Sequence, residues 1–188
     1  MQEKDQDLTI PLEGANLFKE PPTALFSCKV GFKKVHPDAK LPTYAHEGDA
    51  GMDVCAVEDV LLKPGVPTLV STGLIADIPP GCEIQVRPRS GLALKQGITV
   101  WNAPGTVDSN YRGVIGVILY LSPCSVVTHP IDETICSYAV QPIIPYEIKK
   151  GDRIAQLVVA PVTRCEPFEV SEVSETDRGA GGFGSTGS

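Results

Sequence analysis

The chain has 188 residues, with 16 basic against 23 acidic side chains and a formal net charge of -7. That length suits one domain with a sizeable core, and the acidic balance argues against a nucleic-acid polymer or an anionic membrane surface as the main partner. No apolar run is long enough to cross a bilayer, and the opening Met1-Gln2-Glu3-Lys4-Asp5 is too polar for a secretory signal, so a soluble protein of the cytoplasm or nucleus is expected.

Residues 1–23 are polar, carry Pro11, Pro21 and Pro22, and show little periodicity; they read as an extended or disordered leader. A domain spanning 24–170 follows. Short β-branched runs such as Thr68-Leu69-Val70-Ser71-Thr72 and Glu83-Ile84-Gln85-Val86-Arg87 are separated by Pro64-Gly65, Pro80-Gly81 and Pro104-Gly105. This pattern predicts an all-β fold: a sandwich, jelly roll or small barrel. The stretch Gly91–Gln96 is predicted to form a short helical turn. The apolar run Gly113–Tyr120 reads as a central strand, and Arg153–Ala160, following the turn Lys150-Gly151-Asp152, as a second one. Between them, residues 121–150 are too long for a hairpin loop and read as an insert with structure of its own.

Six cysteines, Cys28, Cys55, Cys82, Cys124, Cys136 and Cys165, include no Cys-x-x-Cys pair, and His36, His46 and His129 do not join them at zinc-ligand spacing. They read as small buried apolar groups. The insert is pictured as a hairpin around Cys124 and Cys136, with the sequence leaving open whether a disulfide joins them.

Residues 171–188 form a glycine-rich arm. In Arg178-Gly179-Ala180-Gly181-Gly182-Phe183-Gly184-Ser185-Thr186-Gly187 a fixed positive charge and a flat apolar ring stand among residues whose amides can approach a ligand closely. Such an arm suits an anionic ligand with a planar ring, a nucleotide. A P-loop is excluded, because no Gly-Lys-Ser/Thr and no following helix are present.

Four further clusters carry chemistry: Ala50-Gly51-Met52-Asp53, Pro88-Arg89-Ser90-Gly91-Leu92-Ala93, Asn102 to Gly113, and Gly151-Asp152-Arg153-Ile154-Ala155-Gln156. Arginine, hydroxyl and glycine in succession at Arg89, Ser90 and Gly91 let charge and open amides converge on phosphate oxygens. The Pro104-Gly105 turn builds a hairpin whose backbone can pair with a pyrimidine edge. Strand alternation sets Arg153 with Ala155 on one face and Gln156 with Ile154 on the other, so at least one polar side chain must face a site or an interface.

In type and order, these clusters and the arm resemble the five motifs of the homotrimeric dUTP pyrophosphatase (dUTPase) family, over about residues 50–187. The resemblance implies a distorted jelly-roll β-barrel, and a homotrimer with active sites at subunit interfaces closed by the C-terminal arm. It implies hydrolysis of dUTP to dUMP and pyrophosphate with Mg2+, limiting uracil in DNA and supplying dUMP for dTMP synthesis. It assigns Asp108 to activating the attacking water, and Arg89, Ser90, Gly91 and Gln156 to the triphosphate. Asn102, Gly105, Thr106 and Val107 are assigned to uracil and Tyr111 to the deoxyribose. From the arm, Arg178, Ser185 and Thr186 go to the phosphates, with Phe183 stacking on uracil beside Gly184. Asp53 is implied near the metal through water; Arg153 reads as a buried structural ion-pair partner.

Two rivals stand beside this reading. One is a dUTP-responsive regulatory module whose insert at 121–150 contacts a protein partner. The other is dCTP deaminase, which needs a glutamate five residues beyond the hairpin glycine, where this chain has Ile118.

Overall fold

The structure is a computed structural model and describes residues 28–130 and 136–182. The expected leader at 1–23 lies outside the described residues. In chain order the strands are β1 (Gly31–Lys34), β2 (Met52–Cys55), β3 (Val60–Leu62), β4 (Thr68–Ser71), β5 (Leu74–Asp77) and β6 (Cys82–Arg87). After helix α1 (Ser90–Gln96) come β7 (Ile98–Val100), β8 (Gly105–Val107), β9 (Gly116–Leu121), β10 (Cys124–Pro130), β11 (Cys136–Pro142), β12 (Tyr146–Ile148) and β13 (Arg153–Pro161). The fold is all-β, as the sequence predicts, and the predicted helical turn is α1.

A four-stranded sheet has the order β2-β13-β6-β8 and a three-stranded sheet the order β4-β9-β7; β1 pairs with β5, β3 with β12, and β10 with β11. Both predicted central strands are central. β13 is hydrogen-bonded to β2 and β6, and β9 to β4 and β7. β6 shows why such strands form: Cys82, Ile84 and Val86 are buried while Glu83, Gln85 and Arg87 face outward, the period of two expected of a sheet with one face in the core. Leu62, Leu74, Leu119, Leu121, Ile148, Ile154 and Leu157 are fully buried in the core between the sheets, each side chain contributing about 1.5–3 kcal/mol of apolar burial. The predicted turns at Pro80-Gly81 and Lys150-Gly151 place glycine at φ 85° and 89°, where a side chain would be strained.

Alternation fails in β13, where Ile154 and Ala155 are both buried. A register shift between Arg153 and Ala155, a β-bulge, causes it. Arg153 and Gln156 therefore both stay out of the core, which corrects the simple two-face expectation and the expected burial of Arg153, whose side chain is 55% exposed.

The insert contains the antiparallel hairpin β10–β11, in which Cys124 faces Pro142 and Cys136 faces Pro130. The two cysteines stand at opposite ends of the hairpin, six residues or about 20 Å apart along the strand, too far for a disulfide. Cys124 is free. The end of the 121–150 segment belongs to the domain body, since β12 pairs with β3 and Ile148 is buried. Nor are the cysteines uniformly buried: Cys82 is, whereas Cys28 and Cys55 are half-buried and Cys124 and Cys165 exposed. Cys124 begins the hairpin and Cys165 lies beyond β13, where no second layer covers them among the described residues.

Candidate active site

Because β13 lies between β2 and β6, Gln156 stands opposite both Asp53 and Arg87, and three polar positions form one row across the sheet. The side chain of Gln156 packs against Gly51: a Cβ there would lie 3.1 Å from the Gln156 Cβ. Beyond Arg87 the chain leaves β6 through Pro88 and turns at Arg89, whose extended backbone (φ -90°, ψ 126°) caps α1.

That turn carries the Arg89 guanidinium over Asp53. Arg89 Nε donates to Asp53 Oδ1 at 3.0 Å and Nη1 to the Arg153 carbonyl at 3.2 Å, while Arg153 Nη1 donates to Asp53 Oδ2 at 2.9 Å. Asp53 is 7% exposed. A carboxylate so buried costs several kcal/mol unless its oxygens are paired with charge, and here each is held by a different arginine. The group carries one net positive charge in a fixed orientation, with Arg89 Nη2 making no hydrogen bond among the described residues. Ser90 and Gly91 are exposed in the first turn of α1, where the first intrahelical bond is Ala93 N–H to Arg89 O. The amides before it have no intrahelical partner. An anion is the chemistry this arrangement suits.

Asn102 lies in the turn from β7 to β8, which contains a cis Ala103–Pro104 peptide. A Cβ on Gly105 would lie 3.1 Å from Asn102 Nδ2 and 3.3 Å from Val86 Cβ, so glycine permits the close approach. Thr106 is exposed and Val107 buried. The loop after β8 is tied down locally: Tyr111 N–H donates to the Asp108 carbonyl at 3.1 Å and the Tyr111 hydroxyl to the Val114 carbonyl at 3.2 Å. Its ring lies across Gly113, where a Cβ would fall 2.5 Å from Tyr111 Cζ.

The sequence reading gave no role to Arg112, which binds this loop together. Its Nη1 donates to the carbonyls of Ser109 at 2.8 Å and Tyr111 at 3.0 Å, and its Nη2 to Asp77 Oδ1 at 3.0 Å on β5. The signal was its place between Tyr111 and Gly113; its partner Asp77 is 35 residues away in the chain.

Within one chain Asp108 and Arg89 do not meet. β8 runs antiparallel to β6, with Gly105 opposite Val86 and Val107 opposite Ile84. Asp108 therefore emerges beside Glu83, while Arg87 is four residues, about 13 Å, further along β6 and Arg89 lies beyond it. Asp108 borders a groove of about 560 Å³ whose lining also includes Glu83, Asn110 and Arg164. The candidate residues thus fall into two separate groups, two candidate half-sites: Asp53, Arg89, Ser90, Gly91 and Gln156 in one, Asp108 and Tyr111 in the other. On the exposed tail, Arg178 Nε donates to the Gly181 carbonyl at 2.8 Å. Phe183, Gly184, Ser185 and Thr186 lie outside the described residues.

Among the described residues no three His, Cys, Asp or Glu side chains stand together as a metal cage. With both oxygens engaged by arginines, Asp53 offers no free ligand for an ion held directly by the protein. Burial pushes the Cys55 thiol up from its ordinary pKa, which makes it a poor nucleophile. Among the described residues no helix is long and apolar enough to cross a membrane.

The sequence matches the dUTPase family model over residues 37–143 and 143–187. The chain belongs to the dUTPase family. It is 50% identical over 154 residues to the deoxyuridine 5'-triphosphate nucleotidohydrolase of Picosynechococcus sp., covering 82% of this chain and 95% of that one. Its fold is similar to that of the dUTPase of Staphylococcus bacteriophage 80alpha solved with dUPNHPP, at a TM-score of 0.71 and 28% identity over 86% of this chain and 100% of that one. It is also similar to a mutant dUTPase of phage phi11 of S. aureus, whose structure describes coordination of a structural Mg(II) ion (TM-score 0.62, 25% identity, 77% of this chain and 97% of that one).

For a dUTPase-family loop carrying Asp108 and Tyr111, the bonds of Arg112 predict a measurable effect. Arg112→Ala is expected to lower kcat about tenfold while the thermal midpoint hardly moves, because the Arg112–Asp77 pair is solvent-exposed and worth at most about 1 kcal/mol. Arg112→Lys is expected to behave like the alanine variant, since one ammonium cannot reproduce the planar fork. Steady-state kinetics beside thermal melting check this; an unchanged kcat removes Arg112 from the list of positioning residues.

Proposed function

We infer that this chain hydrolyses dUTP to dUMP and pyrophosphate, with magnesium accompanying the triphosphate. The observation that carries the reading is the Arg89 guanidinium, held by a buried carboxylate beside the open amides of Ser90 and Gly91. Arg89, Ser90, Gly91 and Gln156 receive the phosphates. Asn102 and the backbone of Gly105, Thr106 and Val107 read the uracil edge. Tyr111 packs beneath the deoxyribose, where a 2′-hydroxyl would clash. Asp108 accepts the proton of the attacking water, and a carboxylate is a sufficient base when the phosphorus is already polarised by cations. Magnesium, when bound, neutralises charge on the triphosphate oxygens, and Asp53 reaches it through water. The arm, with Arg178, Phe183, Gly184, Ser185 and Thr186, closes over the nucleotide and excludes bulk water.

The distance between the half-sites supports the proposed threefold assembly, in which Asp108 and Tyr111 of one subunit complete the phosphate site of another. Deamination of dCTP finds no support, because Ile118 lies on β9 with its carbonyl accepting from Trp101 N–H and offers no proton carrier. The rival reading, a regulatory module that contacts a partner through its insert, is not favoured, because the chain keeps Asp108, the group that turnover needs. A panel of dUTP, dTTP, dCTP and UTP with magnesium tests the proposal. Pyrophosphate release from dUTP alone is expected, and comparable release from dTTP or UTP overturns the pocket described here.

The hairpin β10–β11 is dispensable for this chemistry. Its flanks meet, with Ile143 N–H donating to the Pro123 carbonyl at 3.1 Å. Replacing 124–142 with two glycines should leave dUTP turnover within about threefold of the parent, since closing a short loop costs little. Loss of turnover with the oligomer intact in gel filtration contradicts this.

A further inference from the structure

Cys28, just before β1, and Cys82, the first residue of β6, are 54 positions apart in sequence, yet the Cys28 thiol donates to Cys82 Sγ at 3.2 Å. Among the described residues no other cysteine pair makes such a contact. Cys28 is half-buried and Cys82 buried, so one sulfur is open to a reagent and the other is placed to resolve the product. We propose that Cys28 and Cys82 form a covalent modification site at which a low-molecular-weight disulfide, such as oxidised glutathione, crosslinks the segment entering β1 to the start of β6.

The steps balance. The Cys28 thiolate attacks one sulfur of oxidised glutathione, forming a mixed disulfide and expelling one glutathione thiolate. Cys82 gives up its proton to solvent and attacks the Cys28 sulfur, and the second glutathione leaves as thiolate. Two protein thiols are oxidised and one glutathione disulfide is reduced to two thiols. Closing the remaining gap to a bond of about 2.05 Å requires small side-chain rotations. The hydrogen bond to Cys82, with burial second, raises the Cys28 pKa, so the thiolate is scarce at neutral pH and the reaction accelerates as pH rises.

The crosslink closes a long loop and restricts the unfolded chain. It fastens the segment entering β1 to the end of β6 that borders Asp108; Cys82 and Asp108 line the same groove. Cys124 and Cys165 are exposed, and each is expected to stop at the mixed disulfide. The test incubates the full chain with oxidised glutathione at pH 7 and pH 8.5, followed by non-reducing peptide mapping and thermal melting. The expected result is a linked Cys28–Cys82 peptide, formed roughly tenfold faster per pH unit below the thiol pKa. The thermal midpoint should rise by about 5–15 °C, and both changes should vanish in Cys28→Ala and on adding dithiothreitol. Glutathione adducts without the linked peptide, a Cys28 crosslink between chains, or the same rise in Cys28→Ala each overturn the proposal.

Discussion

Replacing Asp108 with asparagine is expected to lower kcat for dUTP about a thousandfold, within the range that a positioned general base contributes, while KM changes little. Asparagine keeps the shape and hydrogen-bonding reach of the side chain but cannot accept a proton. The fold should not suffer: Asp108 is exposed, and the hydrogen bond it makes to Tyr111 uses its backbone carbonyl, which the substitution retains. Pyrophosphate release, measured beside the affinity for a non-hydrolysable dUTP analogue, separates the steps. A variant turning over within tenfold of the parent shows that Asp108 does not activate the water.

Arg89→Ala should be nearly as severe, lowering kcat/KM for dUTP about a hundred- to thousandfold, as expected for loss of a fixed cation facing transition-state charge. Here stability also changes. Asp53 would keep one of its two arginines, at a cost of about 1–3 kcal/mol for a buried acceptor left short of partners, so thermal melting must accompany the kinetics. The double variant Asp53→Ala, Arg89→Ala distinguishes a structural from a functional cation. With the buried charge gone, it is expected to recover most of the lost stability and none of the lost turnover. Recovery of turnover would reduce Arg89 to a counter-ion. Arg89→Lys is expected to resemble the alanine variant, since Arg89 spans the Asp53 carboxylate and the Arg153 carbonyl with two different nitrogens.

Local features were legible in the sequence because local rules govern them. Proline-glycine pairs marked the turns, apolar runs marked β9 and β13, and Gly91–Gln96 announced α1. The chemistry of individual motifs could also be read one motif at a time. What could not be read was long-range. Asp53, Arg89 and Arg153 meet across 36, 64 and 100 residues of chain, and Arg112 finds Asp77 on another strand. No periodicity encodes such pairs. The β13 bulge escaped because one extra residue leaves the pattern of apolar types nearly unchanged while reversing the facing of what precedes it. β12 looked like part of an excursion because a three-residue strand is too short to show alternation, and its pairing with β3 becomes evident only after folding.

The separation of Asp108 from Arg89 along β6 also has a genetic meaning. If each catalytic centre borrows these residues from different copies, Asp108→Asn and Arg89→Ala damage different contributors, and two dead proteins can rescue one another. Unfolded together and refolded as a random mixture, they should regain about a quarter of parental turnover, the fraction of centres that draw both intact residues. Refolded apart, each should stay silent. In a cell expressing both alleles, neither lesion would behave as a simple null.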